Sequence, residues 1–331
     1  MTIKDTIQSA FLSQVREKLP PSISFADELS EVLSISRDSA YRRIRGETLL
    51  SLDEVKKLCD HFRISLDHAL SPSSEIVTFQ VRALNTEHFS FEKWMQSIFD
   101  NLQMINQFSE KELIYHAKDL PIFHFFQYPL LSAFKMYFWM RTFARDAKGR
   151  PEKFRSDIIS QDLLSLGQRI WEKYALVPST EILSPEALTA TLRNIEFTKD
   201  CGFFEDPKDA GRLCEQCLLL LENLSRQTEA GRKGSGPAYE DGAKFDMYHN
   251  ELLIGDNTIL FKMGEKRVTF ITANNFDLLA TSQEFFCRQT ENHINNIISR
   301  STLLSNYAQK ERVKFFNKVR DRVEETRRNV A

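Results

Sequence analysis

Four serines confine what the N-terminal part of this chain can fold into. Ser24, Ser36, Ser51 and Ser65 each mark the start of a short helical segment, and serine is a strong helix N-cap. Pro20-Pro21 ends an earlier helical segment that opens at Asp5 or Thr6, and Ser71-Pro72-Ser73-Ser74 reads as a linker. The first seventy or so residues are therefore short helices joined by tight turns. Phe25, Leu29, Val32 and Leu33 form the stripe of one, with Asp27 and Glu28 in its first turn. Leu52, Val55, Leu58 and Cys59 form the stripe of another, and Arg63 to Leu70 repeats the pattern.

Between them lies a segment of different character. Ser36 caps Arg37 to Arg45, and Gly46 stops it as a C′ residue. Four arginines and one aspartate give this helix a local charge of about +3 in a chain whose formal net charge is -2. At helical spacing Arg37, Tyr41 and Arg45 share one edge, and Asp38 and Arg42 the next. Ala40 and Ile44 fall on a third stripe and are expected to pack inward. A helix, a short turn and a second helix with an exposed polar start suit the DNA major groove, which is ~12 Å wide and admits one helix.

The stretch from about Phe11 to Leu70 resembles the lambda-repressor-like (Cro/XRE) helix-turn-helix family. The resemblance rests on ADELSEVLSIS, then RDSAYRRIRGE, then LLSLDEVKKLCDHFRISLDHAL, with the spacing from Ser36 to Gly46 kept without a gap. It implies that Arg37, Asp38 and Arg42 read bases, that Ser36 is the cap, and that Arg45 and the main chain near Gly46 touch phosphate. The candidate DNA-binding residues are Ser36, Arg37, Asp38, Ser39, Tyr41, Arg42, Arg43 and Arg45. Ser34 replaces the family's turn glycine, Ser30 its small alanine, Ala26 a phosphate-touching glutamine and Ile44 a glutamate.

The remainder is rich in phenylalanine. The chain has 26 Phe against 11 Gly and 10 Pro, which excludes collagen-like, low-complexity and disordered classes. Only Phe11, Phe25 and Phe62 lie in the first 75 residues. Helices are expected at Ser90 to Phe108, Pro121 to Arg145, Arg155 to Tyr174, Pro185 to Phe197, Pro207 to Thr228 and, as one long element, Thr281 to Val330. The second of these is apolar all round and reads as a core helix. Phe126, Phe134, Tyr137 and Phe138 within it are candidates to line an apolar effector pocket. Glu229 to Lys244 reads as a flexible loop. Leu252 to Ile254, Thr258 to Met263 and Arg267 to Thr272 read as short strands separated by turns.

Other signals are bland. Cys214-Glu215-Gln216-Cys217 is a CxxC on an apolar helical stripe, favouring core packing over metal. His116 and His124 read as buried, hydrogen-bonded histidines. No GxGxxG, P-loop, GxSxG or HExxH occurs, so neither an enzyme nor a cofactor is expected. Five scattered cysteines, no secretory leader and no apolar run of about 18 residues point to the cytoplasm, without a membrane partner.

The sequence thus predicts a mainly α protein. An N-terminal five-helix helix-turn-helix domain covers residues 1–72. A larger helical domain covers 73–331 and carries a small antiparallel β-sheet with hairpins near 246–273. The expected function is a cytoplasmic, homodimeric transcription regulator that binds double-stranded DNA. Its C-terminal domain dimerises and is a candidate sensor of a small-molecule or peptide effector, because the long C-terminal helix has more apolar seam than one domain needs. The alternative is a protein-interaction platform or motif-poor enzyme tethered to DNA by the head.

Overall fold

A computed structural model describes residues 6–19, 23–62, 64, 66, 77–82, 90–143, 152–234, 242–251, 255, 257–273 and 277–331. The chain divides into two units, Met1–Phe79 and Gln80–Ala331.

The first unit contains α1 (Ile7–Glu17), α2 (Phe25–Leu33), α3 (Arg37–Ile44) and α4 (Leu52–Phe62). Thr6 and Ser9 cap α1 reciprocally, and Ser51 caps α4 through the Glu54 amide. Phe11, Leu12, Val15, Leu29, Leu33, Ala40 and Leu58 form one buried core, with Ile44, Val55, Ile64 and Leu66 packed against it. Of the fifth helix expected at Arg63 to Leu70 only Ile64 and Leu66 are among the described residues, and the Ser71–Ser74 linker lies outside them.

The second unit begins with β1 (Gln80–Arg82), α5 (Phe91–Ile105), β2 (Lys111–Ala117), α6 (Ile122–Phe125) and α7 (Pro129–Phe143). Next come α8 (Gln161–Ala175), β3 (Ser179–Leu183), α9 (Thr189–Asp200), α10 (Asp209–Ala230) and β4 (Phe245–His249). It ends with β5 (Thr258–Met263), β6 (Lys266–Ala273), β7 (Asp277–Thr281), α11 (Glu284–Ile298), β8 (Thr302–Leu303) and α12 (Gln309–Val330).

These strands correct the expected small antiparallel sheet. They form one eight-stranded mixed sheet in the order β1-β7-β6-β5-β2-β3-β4-β8. β2, β3 and β4 run parallel to one another, and every other pairing is antiparallel. These parallel strands leave no hairpin signal in the sequence, because parallel partners are joined by long helical crossovers and not by tight turns. They are also covered on both faces, so β3 has no polar-apolar alternation: all five of its residues are buried. The unit remains mainly helical, in layers. Leu113, Tyr115, Leu183, Phe245 and Phe261 face the large core under α5 to α10 and α12. Ile114, Ile182 and Leu260 face Cys287, Ile294 and Ile297 of α11 on the other side.

Two expected helices are broken. The aromatic segment splits into α6 and α7 because Pro129 cannot continue a helix but suits its first position. The long C-terminal helix splits into α11 and α12, with β8 between them. Phe315, Phe316, Val319, Val323 and Val330 of α12 are buried in the unit's own core, so the seam is satisfied within the chain. Leu252 to Ile254 lie outside the described residues, as do residues 235–241 of the expected 229–244 loop, whose first two residues end α10.

The chain reverses tightly after α10. Gly231 caps it at φ +64°, and a Cβ there would lie 2.3 Å from Asn306 Oδ1. Gly231→Ala therefore meets both backbone strain and a collision, and is expected to cost about 1–3 kcal/mol in urea unfolding.

Candidate nucleic-acid interface

The turn between α2 and α3 is built by hydroxyl chemistry. Ser34 occupies the left-handed region at φ 55°, where an L side chain is disfavoured. Ser30 Oγ donates to the Ile35 carbonyl at 2.6 Å, holding the turn closed. Thus serines stand at both positions, one strained and one bonding. Ser36 Oγ accepts from the Ser39 amide at 3.2 Å and so caps α3.

At its far end α3 closes in a Schellman motif. The Gly46 amide donates to the Arg43 carbonyl and the Glu47 amide to the Arg42 carbonyl, with Gly46 at φ +73°. Gln8 of α1 pins the chain that follows. Its amide nitrogen donates to the Arg43 and Thr48 carbonyls, and its carbonyl accepts from the Leu50 amide.

Ala40 is fully buried and Ile44 packs on the same core, so α3 turns its other side outward. Arg37, Asp38, Tyr41, Arg42 and Arg45 are exposed on that side. Ser36 and Ser39 sit at its start, engaged with each other as the cap. Arg43 departs from the expected set. It points into the unit, where it meets Glu54 through two nitrogens at 2.7 and 3.3 Å and donates to the Ser39 carbonyl. Its helical angle places it beside α4, so it braces the fold. Burial opposes the charge of Glu54, but Arg43 and Ser51 outweigh it and hold the carboxyl below its ordinary range.

Two carboxylates missed in the sequence reading complete the surface. Asp27 of α2 pairs with Arg37 Nε at 2.8 Å. Glu47 takes Arg45 through two nitrogens at 2.7 and 3.1 Å and lies 3.9 Å from Arg42. The bond from Glu47 raises the Arg45 pKa and lowers that of Glu47. Glu47 follows Arg45 by two residues, so its proximity was legible, but its aim depends on the Gly46 turn.

The second unit holds a buried polar cluster on the core face of β3. Glu181 is wholly buried and meets His124 Nε2 at 2.8 Å and the Tyr174 hydroxyl. His124 Nδ1 has no hydrogen-bond partner among the described residues. Lys233, also wholly buried, donates to the Tyr174 carbonyl at 2.8 Å and lies over the Tyr174 ring. Burial works to raise the Glu181 pKa, yet His124, Tyr174 and Lys233 together keep it below the ordinary carboxylate value. Burial drives the Lys233 pKa well down, against the opposing pull of Glu181.

The proposed pocket residues are core. Phe126, Phe134 and Tyr137 are buried, and Phe138 packs against the same cluster. Phe134 lies edge-on to Phe154 at 5.4 Å and stacks on Phe204 at 5.8 Å. Phe126 presses on Gly167 so closely that a Cβ there would sit 3.0 Å from its ring. Tyr137 also lies edge-on to Phe154 at 5.4 Å, and Phe138 to Phe197 at 6.3 Å. Cys214 and Cys217 are buried in α10, and burial pushes the Cys214 thiol up to about 12. His116 is partly buried on β2, and burial lowers its pKa.

No family model, curated protein or solved structure matches this chain. Among the described residues no helix is long and apolar enough to cross a membrane.

Two predictions follow the two ion pairs. Arg43→Ala is expected to destabilise the first unit by about 1–3 kcal/mol in thermal unfolding, by stranding half-buried Glu54, whereas Arg42→Ala should stay within about 0.5. Stability that Glu181 confers is complete above the ordinary carboxylate pKa and is lost as pH falls through its lowered value. Urea titrations across acid pH should show that loss, and Glu181→Gln should flatten it.

Proposed function

We propose that this protein is a sequence-specific DNA-binding transcription regulator of the lambda-repressor-like helix-turn-helix kind. The observation that carries the reading is the exposed face of α3: Arg37, Asp38, Tyr41, Arg42 and Arg45 on a helix whose opposite side is locked into the core. A helix held this way enters the major groove with its N-terminal side chains at base edges. Arg37 and Arg42 can each give a bidentate pair to guanine, and Asp38 can accept from cytosine. Arg45 and the main chain at Gly46 meet phosphate, which contributes affinity and makes it salt-dependent.

One such head covers only a few base pairs. Useful specificity calls for a two-fold dimer with half-sites about one helical turn apart, and joining the two copies falls to the second unit. Phe315, Phe316, Val319, Val323 and Val330 of α12 pack within the unit, so the dimer rests on the footprint argument. The cytoplasmic setting is part of the same reading and draws on five free cysteines.

The test is selection of bound sequences from random duplexes with the full chain. An enriched palindrome is expected, and Arg42→Ala should relax one base position per half-site, a loss of about 1–3 kcal/mol of discrimination. A selection that enriches nothing would end the reading. A monomer by light scattering with an asymmetric footprint would end the dimer.

A further inference from the structure

Every exposed arginine on the outer side of α3 is met by a carboxylate of its own chain. Asp27 reaches Arg37 at 2.8 Å, and Glu47 reaches Arg45 at 2.7 Å and Arg42 at 3.9 Å. All five side chains are about half exposed, so these pairs lie on the surface that would face DNA. Their positions are fixed by backbone. Glu47 is the C″ residue of the Schellman turn, tied by its amide to the Arg42 carbonyl, while Gln8 secures Thr48 and Leu50 just beyond. Asp27 lies in the first turn of α2, whose packing against α3 through Leu29, Leu33 and Ala40 sets the separation of the two helices.

A carboxylate held by two guanidinium nitrogens has the geometry with which a phosphate is held. We infer that Asp27 and Glu47 are specificity-determining residues of the DNA-reading face, acting as resident competitors with phosphate for Arg37, Arg42 and Arg45. The inference rests on the reading of α3 as a DNA-binding helix. Against DNA of any sequence, the arginines must exchange one anion for another, so little is gained. At a matched site the guanine contacts of Arg37 and Arg42 add to that exchange and favour complex formation. The carboxylates therefore suppress non-specific binding more than specific binding. They also reduce the number of counterions released per complex, because two carboxylates offset two of the three arginine charges beforehand.

The experiment compares the wild-type full chain with Glu47→Gln, Asp27→Asn and Glu31→Gln on a random duplex and on the selected site, across a salt series. Glu31 is an exposed carboxylate of α2 that pairs with none of these arginines, and its substitution makes the same change in net charge. Circular dichroism checks that each variant is folded. Glu47→Gln and Asp27→Asn are expected to bind the random duplex about 3–10-fold more tightly near 0.1 M salt. The slope of log K against log salt should steepen by about one for each. The selected site should gain less, so the specificity ratio falls. Glu31→Gln should change neither slope nor ratio. Equal effects from all three variants, or none from Glu47→Gln and Asp27→Asn, would overturn the inference while leaving DNA binding intact. Failure of the wild type to bind any duplex at low salt would overturn the DNA reading itself, and this inference with it.

Discussion

Helix α3 is eight residues long, a little over two turns, and within that length it must both anchor and present. Ala40 is its deepest residue, with no accessible surface, and any larger side chain there would push the helix off α2 and α4. The surrounding devices keep this short helix from moving. Ser36 caps its start, Gly46 ends it, Arg43 ties it to Glu54 of α4, and Gln8 reaches from α1 to fasten the chain beyond. An arginine whose guanidinium is to meet a base edge needs such a platform, since a displacement of one ångström breaks a bidentate hydrogen bond.

The second unit solves a different problem. Its core is large and apolar, yet Glu181 and Lys233 are both buried within it. A buried charge is tolerated only when paired and hydrogen-bonded, and here the partners come from distant segments: His124 from α6, Tyr174 from α8 and Lys233 from just beyond α10. The cluster therefore ties both crossovers to the central strand. Apolar rings could fill the same volume, but they would not demand one arrangement of these elements.

Legibility followed the range of the forces involved. Caps, stripes and the Gly46 stop are local, so α1 to α4 and the inward turn of Ala40 and Ile44 could be read directly from the sequence. The hairpin of β5 and β6 was legible for the same reason, through Gly264-Glu265 between two apolar runs. The parallel strands were not, because Glu181 in the middle of β3 reads as polar until His124 and Tyr174 are placed around it. The orientation of Arg43 was hidden too: its sequence neighbours suggest another exposed cation, and only the position of Glu54 shows its role. The aromatic run is legible as core, but the rings that pack on Phe134, those of Phe154 and Phe204, come from segments far along the chain.

The central strands also set a timetable. Leu113 pairs with Ser179, and Ser179 with Phe245, each step spanning about 66 residues of intervening helix. Closing loops of that length loses chain entropy before any ladder bond compensates, so such sheets assemble slowly. The helices of the first unit make their contacts within a few tens of residues and emerge before the sheet strands during synthesis. Each newly made chain therefore carries a formed first unit for a time before its own sheet has closed.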